Sequence, residues 1–164
     1  MMTAAPDLSR RALLLGRDAA AIPLRPPWAL AESDFTDACT TCGACIQRCP
    51  QHVLVRGAGN YPVFTPQLGE CTFCGECADA CTPRALDRAA AAPWNQLAAV
   101  GDACLAMRGV VCSSCRDVCP EQAIGFPVVA SVAVPSIDDS CCTGCGACVS
   151  VCPAAAIAVH SANR

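Results

Sequence analysis

Lysine is absent from this 164-residue sequence: its 11 basic residues are all arginines, 14 residues are acidic, and the net charge is −3. A chain with this balance offers no basic face to a phosphate backbone, which argues against nucleic-acid binding. Long apolar runs are also missing, because no segment approaches the roughly 20 apolar residues of a membrane-spanning helix. We therefore expect a protein that neither binds nucleic acid nor spans a membrane.

Aromatic residues are scarce, at 4% of the chain, whereas 17 residues are cysteine. A module of about 60 residues with so few large side chains buries little apolar area and needs a staple to stay folded. Disulfides, zinc and iron–sulfur clusters are the possible staples. Disulfides require an oxidising compartment, and zinc normally takes two C-x2-C pairs that are separated by a longer loop.

The segment Cys142–Pro153 favours iron–sulfur clusters, because it reads C-x2-C-x2-C-x3-C-P, the run that binds clusters in bacterial ferredoxins. The run recurs in motifs one and two, and in an altered third motif in which Gly109 stands at the expected first cysteine and Cys104 is the nearest upstream thiol. The motif cysteines are Cys39, Cys42, Cys45 and Cys49; Cys71, Cys74, Cys77 and Cys81; Cys104, Cys112, Cys115 and Cys119; and Cys142, Cys145, Cys148 and Cys152.

The fourth cysteines stand at positions 49, 81, 119 and 152, so that two similar short periods flank a longer one. This spacing predicts two modules of two motifs each. In two-cluster ferredoxins the fourth cysteine of each motif ligates the other cluster. On this hypothesis the ligand sets are Cys39, Cys42, Cys45 and Cys81; Cys71, Cys74, Cys77 and Cys49; Cys104, Cys112, Cys115 and Cys152; and Cys142, Cys145, Cys148 and Cys119. We expect three to four [4Fe–4S] clusters, depending on whether the altered motif holds one.

The predicted fold is α+β, with two tandem two-cluster ferredoxin-like modules over residues 36–92 and 93–164, built from short hairpins and short helices. An extended or amphipathic N-terminal arm covers residues 1–35. Residues 53–55 and 61–64 are predicted to form a hairpin around a glycine turn. In the second module we expect a helix over residues 94–100, a hairpin from 124–126 and 128–134, and a final strand over 157–159. Each motif is followed by a leucine or isoleucine, which we expect to be buried behind its cluster: Leu54, Leu86, Ile124 and Ile157.

Several residues allow more than one interpretation. Ser9-Arg10-Arg11 looks like a twin-arginine signal, but the following apolar stretch is short, so an uncleaved arm is the preferred interpretation. Cys141 leaves a three-residue gap to Cys145 and is most simply a spare thiol. Trp28 either covers the first module or contacts a partner.

The solitary histidines, His52 and His160, are expected at the surface or in packing contacts. Arginines within or just after the motifs, Arg48, Arg84 and Arg116, either offset the charge of the clusters or are solvated.

The four motifs together with this arm resemble the NapF family, the ferredoxin-type accessory proteins of periplasmic nitrate reductase systems. The resemblance rests on Ser9-Arg10-Arg11, Arg25–Trp28, Arg56–Gly59 with Tyr61-Pro62, and Gly101–Leu105. It implies a cytoplasmic protein that contacts the molybdenum-containing catalytic subunit before export and supplies it with electrons or cluster material during maturation. Cys104 matches the family position, whereas Cys141 departs from the pattern.

No acid–base pair, activated nucleophile or phosphate-binding loop is recognisable, so we expect no catalytic activity of the chain's own. The expected function is therefore that of a polyferredoxin-type accessory protein that docks on the catalytic subunit of periplasmic nitrate reductase. One alternative is an electron-transfer subunit of another oxidoreductase complex. A zinc-binding interaction module is a third.

Overall fold

The computed structural model describes residues 23–129 and 132–161. Residues 1–22, 130–131 and 162–164 lie outside the described residues, and with them most of the expected arm, including Ser9-Arg10-Arg11. The described chain combines short helices with small two-stranded sheets, which agrees with the α+β class. The helices are α1 (Glu32–Ala38), α2 (Ala44–Arg48), α3 (Glu76–Asp79), α4 (Ser114–Asp117) and α5 (Ala147–Ser150). The strands are β1 (Leu54–Arg56), β2 (Pro62–Phe64), β3 (Gln96–Val100), β4 (Ile124–Gly125), β5 (Val128–Val129), β6 (Val132–Ala133), β7 (Ser136–Ile137) and β8 (Ile157–Ser161).

The cysteine motifs themselves determine where α2, α3 and α5 begin. Each of these helices starts directly after a glycine in the left-handed conformation, at Gly43 (φ 81°), Gly75 (φ 88°) or Gly146 (φ 89°). A side chain at these positions would strain the backbone, so the glycine that follows the second cysteine fixes the start of the helix. The third cysteine of each motif lies within its helix and is buried: Cys45, Cys77 and Cys148. Within the described ranges, no helix is both long and apolar enough to cross a membrane.

The hairpin predicted in the first module is confirmed. Strands β1 and β2 are antiparallel, and Leu54 pairs with Phe64 while Arg56 pairs with Pro62. The glycine turn joins them, because the Gly57 N–H donates to the carbonyl oxygen of Tyr61 over 2.8 Å. The hairpin buries Leu54 and Phe64 in the core and leaves Arg56 exposed.

The helix predicted over residues 94–100 is wrong. Gln96–Val100 forms strand β3, which pairs antiparallel with β8, so that Val100 lies opposite Ile157. Burial alternates along it: Gln96 and Ala98 are 5% and 6% exposed, whereas Ala99 is exposed. Pairing with the distant end of the chain has overridden the helix preference of alanine and leucine. The predicted final strand is confirmed and extends to Ser161.

The second module has two small sheets where we predicted one hairpin. Ile124 pairs with Ile137, which lies beyond Pro135, rather than with residues 128–134. The stretch predicted as a single strand folds back on itself, since β5 pairs with β6. No glycine, proline or asparagine marks a turn between residues 128 and 134, and this explains why the sequence pattern suggested one continuous strand.

The aliphatic residue after each motif lies in the core, as predicted. The four side chains are between 2% and 6% exposed: Leu54 (4%), Leu86 (2%), Ile124 (3%) and Ile157 (6%). Leu54 and Leu86 belong to a core cluster that contains Trp28, Phe35 and Phe64. Ile124 and Ile157 belong to a second and smaller cluster. Each motif pair therefore has its own apolar core behind its cysteines.

The N-terminal segment from residue 23 onward is part of the first core. The Trp28 side chain is 7% exposed. Its backbone N–H donates to the carbonyl oxygen of Pro93 over 2.6 Å, and its backbone carbonyl oxygen accepts from the Asp87 N–H over 2.8 Å. Of the two roles considered for Trp28, packing against the first module is confirmed. Helix α1 runs across the predicted boundary at residue 35, and its Phe35 is completely buried.

Candidate metal centres

The first predicted ligand set lines one cavity in the first module. Cys39, Cys42 and Cys45 of motif one face this cavity together with Cys81 of motif two. Cys39 and Cys42 come from the loop that leads into α2 and Cys45 from α2 itself, whereas Cys81 comes from the turn after α3. Cys45 is buried and Cys42 is exposed. The fold therefore brings the fourth cysteine of motif two to the first three of motif one.

The second set makes the reciprocal crossover. Cys49 lines a cavity together with Cys71, Cys74 and Cys77 of motif two. Pro27, Trp28 and Phe73 complete much of its wall. The sequence-based set for this site did not include these three side chains. Phe73 could have been found because it lies inside motif two, whereas Pro27 and Trp28 lie far from that motif in the sequence.

The second module repeats the arrangement. Its two cavities are lined by the two remaining predicted sets: Cys119, Cys142, Cys145 and Cys148 at one, and Cys104, Cys112, Cys115 and Cys152 at the other. All sixteen motif cysteines thus lie in four groups of four that match the predicted sets. That each group ligates a cluster is our proposal.

The altered third motif reaches its cavity through a compact loop. Between Cys104 and Cys112 the chain forms a 3-10 turn over Ala106–Arg108, and Gly109 ends this turn with φ 80°. The Val110 N–H donates back to the carbonyl oxygen of Leu105 over 2.9 Å. The loop therefore holds its own ends close together, and this brings Cys104 to the position that the missing first cysteine would otherwise fill.

Cys141 stands apart from these groups. It is exposed and does not line the cavity that Cys142 faces. Its Sγ lies 3.8 Å from the Asp138 carboxylate and 3.8 Å from the Ser140 hydroxyl. The geometry therefore favours the register in which Cys142 is the first cysteine of motif four and Cys141 is a spare thiol.

One backbone feature of the motifs escaped the sequence reasoning. The third residue after every fourth cysteine has a positive φ: His52 (54°), Arg84 (57°), Gln122 (51°) and Ala155 (47°). Its N–H donates to the carbonyl oxygen of that cysteine in all four copies, over 3.0 to 3.2 Å. No glycine occurs at these positions, so only the fourfold repeat itself could have indicated the turn. His52 is exposed, and so is His160, as expected of surface histidines.

Backbone N–H groups and burial both act on the cysteine sulfurs. The N–H of Leu86 donates to Cys81 Sγ over 3.4 Å, and the N–H of Ala156 donates to Cys152 Sγ over 3.3 Å. Burial raises the pKa of Cys45 to about 11 and the pKa of Cys148 to about 12. A thiol with such a pKa keeps its proton at neutral pH unless a metal displaces it.

The second and fourth cavities meet at the boundary between the modules. The Cys71 N–H donates to the carbonyl oxygen of Cys145 over 2.8 Å, which joins a cysteine of one cavity directly to a cysteine of the other. Trp94 Nε1 donates to the Thr143 carbonyl oxygen over 2.6 Å. Gly144 (φ 68°) lies so close to the Gln96 carbonyl that a Cβ would overlap it. The modules therefore pack through the cysteine loops themselves.

The three arginines singled out from the sequence pair with carboxylates at the surface. Arg48 lies 3.5 Å from Glu76, Arg84 lies 4.0 Å from Asp87 and Arg116 lies 3.8 Å from Asp117. Their side chains are 67%, 82% and 53% exposed, which agrees with the solvated interpretation. Such pairs contribute about 0–1 kcal/mol to stability. Two other arginines, Arg56 and Arg88, lie directly against the motif loops.

Within the described residues, no three His, Cys, Asp or Glu side chains converge on a point where they could hold a single metal ion. A [4Fe–4S] cluster does not require such convergence, because each of its four cysteines binds a different iron. Two family models, each described as a 4Fe-4S dicluster domain, match residues 38–86 and 110–156. The chain is 42% identical over 153 residues to the ferredoxin-type protein NapF of Escherichia coli (strain K12), covering 92% of this chain and 93% of the relative. It is 38% identical over 144 residues to the NapF protein of Haemophilus influenzae, covering 87% and 82%.

This chain belongs to the NapF family of ferredoxin-type proteins. Like its NapF relatives it is an iron–sulfur electron-transfer protein, with two tandem dicluster domains. It is also 34% identical over 174 residues to the methylamine utilization ferredoxin-type protein MauM of Methylophilus methylotrophus, covering 94% of this chain and 77% of the relative.

The residues of this NapF-type chain fit [4Fe–4S] clusters. Each cavity is lined by four thiols and has a largely apolar wall, and cysteine thiolates are the usual ligands of such clusters. When bound, a cluster of this type takes up and releases single electrons. The N–H groups aimed at Cys81 and Cys152 stabilise negative charge on these sulfurs.

Proposed function

We propose that this chain is a polyferredoxin-type accessory protein with four [4Fe–4S] sites that docks on the cytoplasmic, molybdenum-containing catalytic subunit of a periplasmic nitrate reductase and assists its maturation before export. The observation that carries the proposal is the similarity to NapF proteins along nearly the whole chain. The four groups of four cysteines give the chain the means to carry electrons.

The contacts between the modules support a role in supplying electrons. Cys71 and Cys145 are joined by a backbone hydrogen bond, so the sites of motifs two and four are neighbours. Within each module the two sites are also neighbours, because Cys45 of the first site acts electrostatically on Cys77 of the second, and Cys115 of the third acts on Cys148 of the fourth. In this proposal electrons pass from the first site through the second and fourth to the third, or in the reverse direction.

Electron supply is favoured over donation of cluster material. A donated cluster requires a loosely held site, and the long gap between Cys104 and Cys112 makes the third site the natural candidate. However, this loop is closed by its own hydrogen bonds, including those from Arg108 to Cys104 and from Val110 to Leu105. A pre-closed loop loses little chain entropy when the cysteines bind, and this supports a firmly held third site.

Co-purification tests the docking proposal. The tagged chain should capture the catalytic subunit from a strain in which export is blocked, and should capture much less of the mature periplasmic enzyme. Cell fractionation should find the chain in the cytoplasm without processing. Equal capture of both enzyme forms, or a processed periplasmic form of the chain, would contradict the proposal.

The similarity to MauM supports a second candidate function. In this alternative the chain supplies electrons to another oxidoreductase system, as a subunit that acts at each turnover. A subunit of this kind would remain bound to the mature enzyme. Stable association with an active oxidoreductase other than nitrate reductase would therefore favour this alternative. In both cases we propose that the chain has no catalytic activity of its own.

A further inference from the structure

Arg56 occupies a repeat position that differs between the modules. It is the seventh residue after the fourth cysteine of motif one, and Arg88 is its counterpart after motif two. The same position holds Phe126 after motif three and Val159 after motif four. The first module therefore carries an arginine where the second module carries an apolar side chain.

The guanidinium of Arg56 lies on the loop of the first cavity. Its Nη1 donates to the carbonyl oxygen of Thr41 over 3.1 Å, and Thr41 lies between Cys39 and Cys42. Its Nη2 lies so close to Gly43 that a Cβ there would overlap it. Only a glycine after the second cysteine allows this approach, so the charge of Arg56 is held against the segment that carries three of the four cysteines.

Arg56 has no carboxylate within ion-pair distance in the part of the chain that the structure describes. Arg88 differs in this respect. Its Nη1 lies 2.6 Å from the position that a Cβ on Gly75 would take. However, Arg88 also pairs with Asp79 at 3.6 Å and lies over the Trp28 ring at 5.2 Å. The charge of Arg88 is therefore partly neutralised, whereas that of Arg56 has no carboxylate partner among the described residues.

At the corresponding glycine of the fourth site, apolar side chains take the place of an arginine. Gly146 faces the side chains of Pro66 and Phe64, which lie 2.7 and 3.0 Å from the position of a Cβ. Val159 belongs to the apolar cluster of the second module. The first and fourth sites thus share four-cysteine geometry but differ in nearby charge. The Arg56 guanidinium lies on the loop of the first site, whereas the Glu70 carboxylate acts on Cys145 of the fourth site.

We propose that Arg56 is a positioning residue that raises the reduction potential of the first site above that of the fourth site. The inference rests on the proposed binding of clusters by the cysteine groups. Reduction adds one electron, and hence one negative charge, to a site that four thiolates already make negative. A guanidinium held on the ligand loop favours this added charge, because charge and hydrogen bonds around the sulfurs set the potential. Of these two sites, the first is therefore the one at which an electron comes to rest.

Redox titration of the anaerobically purified full chain, followed by EPR, tests the proposal. The substitution R56Q should lower the potential of one site, with about a tenfold change in its ratio of oxidised to reduced form, or about 59 mV for a one-electron couple. R56K keeps the charge and should restore most of the potential. R84Q is the matched control, because Arg84 is exposed like Arg56 and follows motif two, but its guanidinium pairs with the Asp87 carboxylate.

The outcomes separate this proposal from the proposed function. Full iron content with an unchanged potential in R56Q would overturn the role of Arg56 and leave the function intact. An equal shift in R84Q would also overturn it, because a general change in surface charge would then be the cause. Loss of iron from R56Q would assign Arg56 a structural role instead. A wild-type chain without iron would refute the cluster sites and, with them, both proposals.

Discussion

Cys148 is the single side chain whose removal tests the ligand sets most sharply. It is 7% exposed, lies in α5 and faces the cavity of the fourth site. The substitution C148S should remove one cluster, or about a quarter of the iron. It should also destabilise the second module, because the bound cluster crosslinks the loops of that module. Iron analysis of the purified variant measures the loss.

Cys141 provides the control for this prediction, since it lies in the same segment but is exposed and outside the cavity. C141S should retain the iron content of the wild type. Normal iron in C148S would contradict the ligand set, whereas a loss of iron in C141S would show that the register of motif four is wrong.

Burial of the cysteines predicts a pH dependence. It raises the pKa of Cys77 and of Cys148 to about 12, and that of Cys45 to about 11. Below these values the free thiol keeps its proton, so iron must displace a proton at neutral pH. Protons and iron compete for the same sulfur, and lowering the pH therefore weakens cluster binding.

We expect a chelator to bleach the clusters faster at about pH 6 than at about pH 8, because each thiol gains its proton more readily in acid. Visible absorbance records the rate. A rate that is independent of pH, or faster bleaching in alkali, would contradict the assignment of buried thiols as ligands.

At the residue scale, the sequence was sufficient to predict the grouping of the cysteines because their spacing is specific. It was not sufficient to predict the left-handed turns at His52 or Gln122, since neither residue type indicates a positive φ. Arg56 also escaped prediction, because its contact with Gly43 depends on how the β1–β2 hairpin lies over the motif loop.

At the scale of elements, β3 is the clearest failure of local pattern. The sequence Gln-Leu-Ala-Ala-Val consists mainly of good helix formers, yet it forms a strand because β8, about 60 residues later in the chain, offers it a partner. The β1–β2 hairpin was predictable because its strands and its glycine turn are adjacent in the sequence. The sequence pattern was thus sufficient to predict elements formed by neighbouring residues, but not strand pairing between distant segments.

Adjacent alanines in β3 test the strand register. Ala98 is 6% exposed and Ala99 is exposed. A98D would bury an unpaired charge and should destabilise the chain by about 2 kcal/mol or more, whereas A99D should change stability by about 0.5 kcal/mol or less. The midpoint of cluster loss in denaturant measures both. Equal effects of the two substitutions would contradict the alternating burial of a strand.

At the scale of the whole molecule, side chains of the two modules pack directly against each other. Trp94, which the sequence assigned to the second module, packs on Phe64 and Phe73 of the first, with ring centroids 4.9 and 5.1 Å apart. The predicted module boundaries at residues 35 and 92 remain predictions. The repeat of the motifs indicated two units, but spacing alone carries no information about how two units pack.

Two deletions of different length distinguish a docking role of the N-terminal segment from its role in the second site. Removing residues 1–22 should leave the iron content unchanged and weaken capture of the catalytic subunit. Removing residues 1–30 also deletes Trp28, which lines the second cavity, and should cost about 3–5 kcal/mol of stability together with iron from that site. Iron analysis and pull-down record the two effects separately. Unchanged capture by the shorter deletion would contradict a docking role for the arm.

We propose that inorganic clusters held by four groups of cysteines stabilise a chain with few large apolar side chains. Iron and sulfide quantitation on anaerobically purified full-length protein, together with EPR of the reduced sample, tests it most directly. We expect a brown protein with about 16 iron atoms and about 16 sulfides per chain, four of each per site. A colourless, folded protein, or one that contains zinc or disulfides instead, would contradict it.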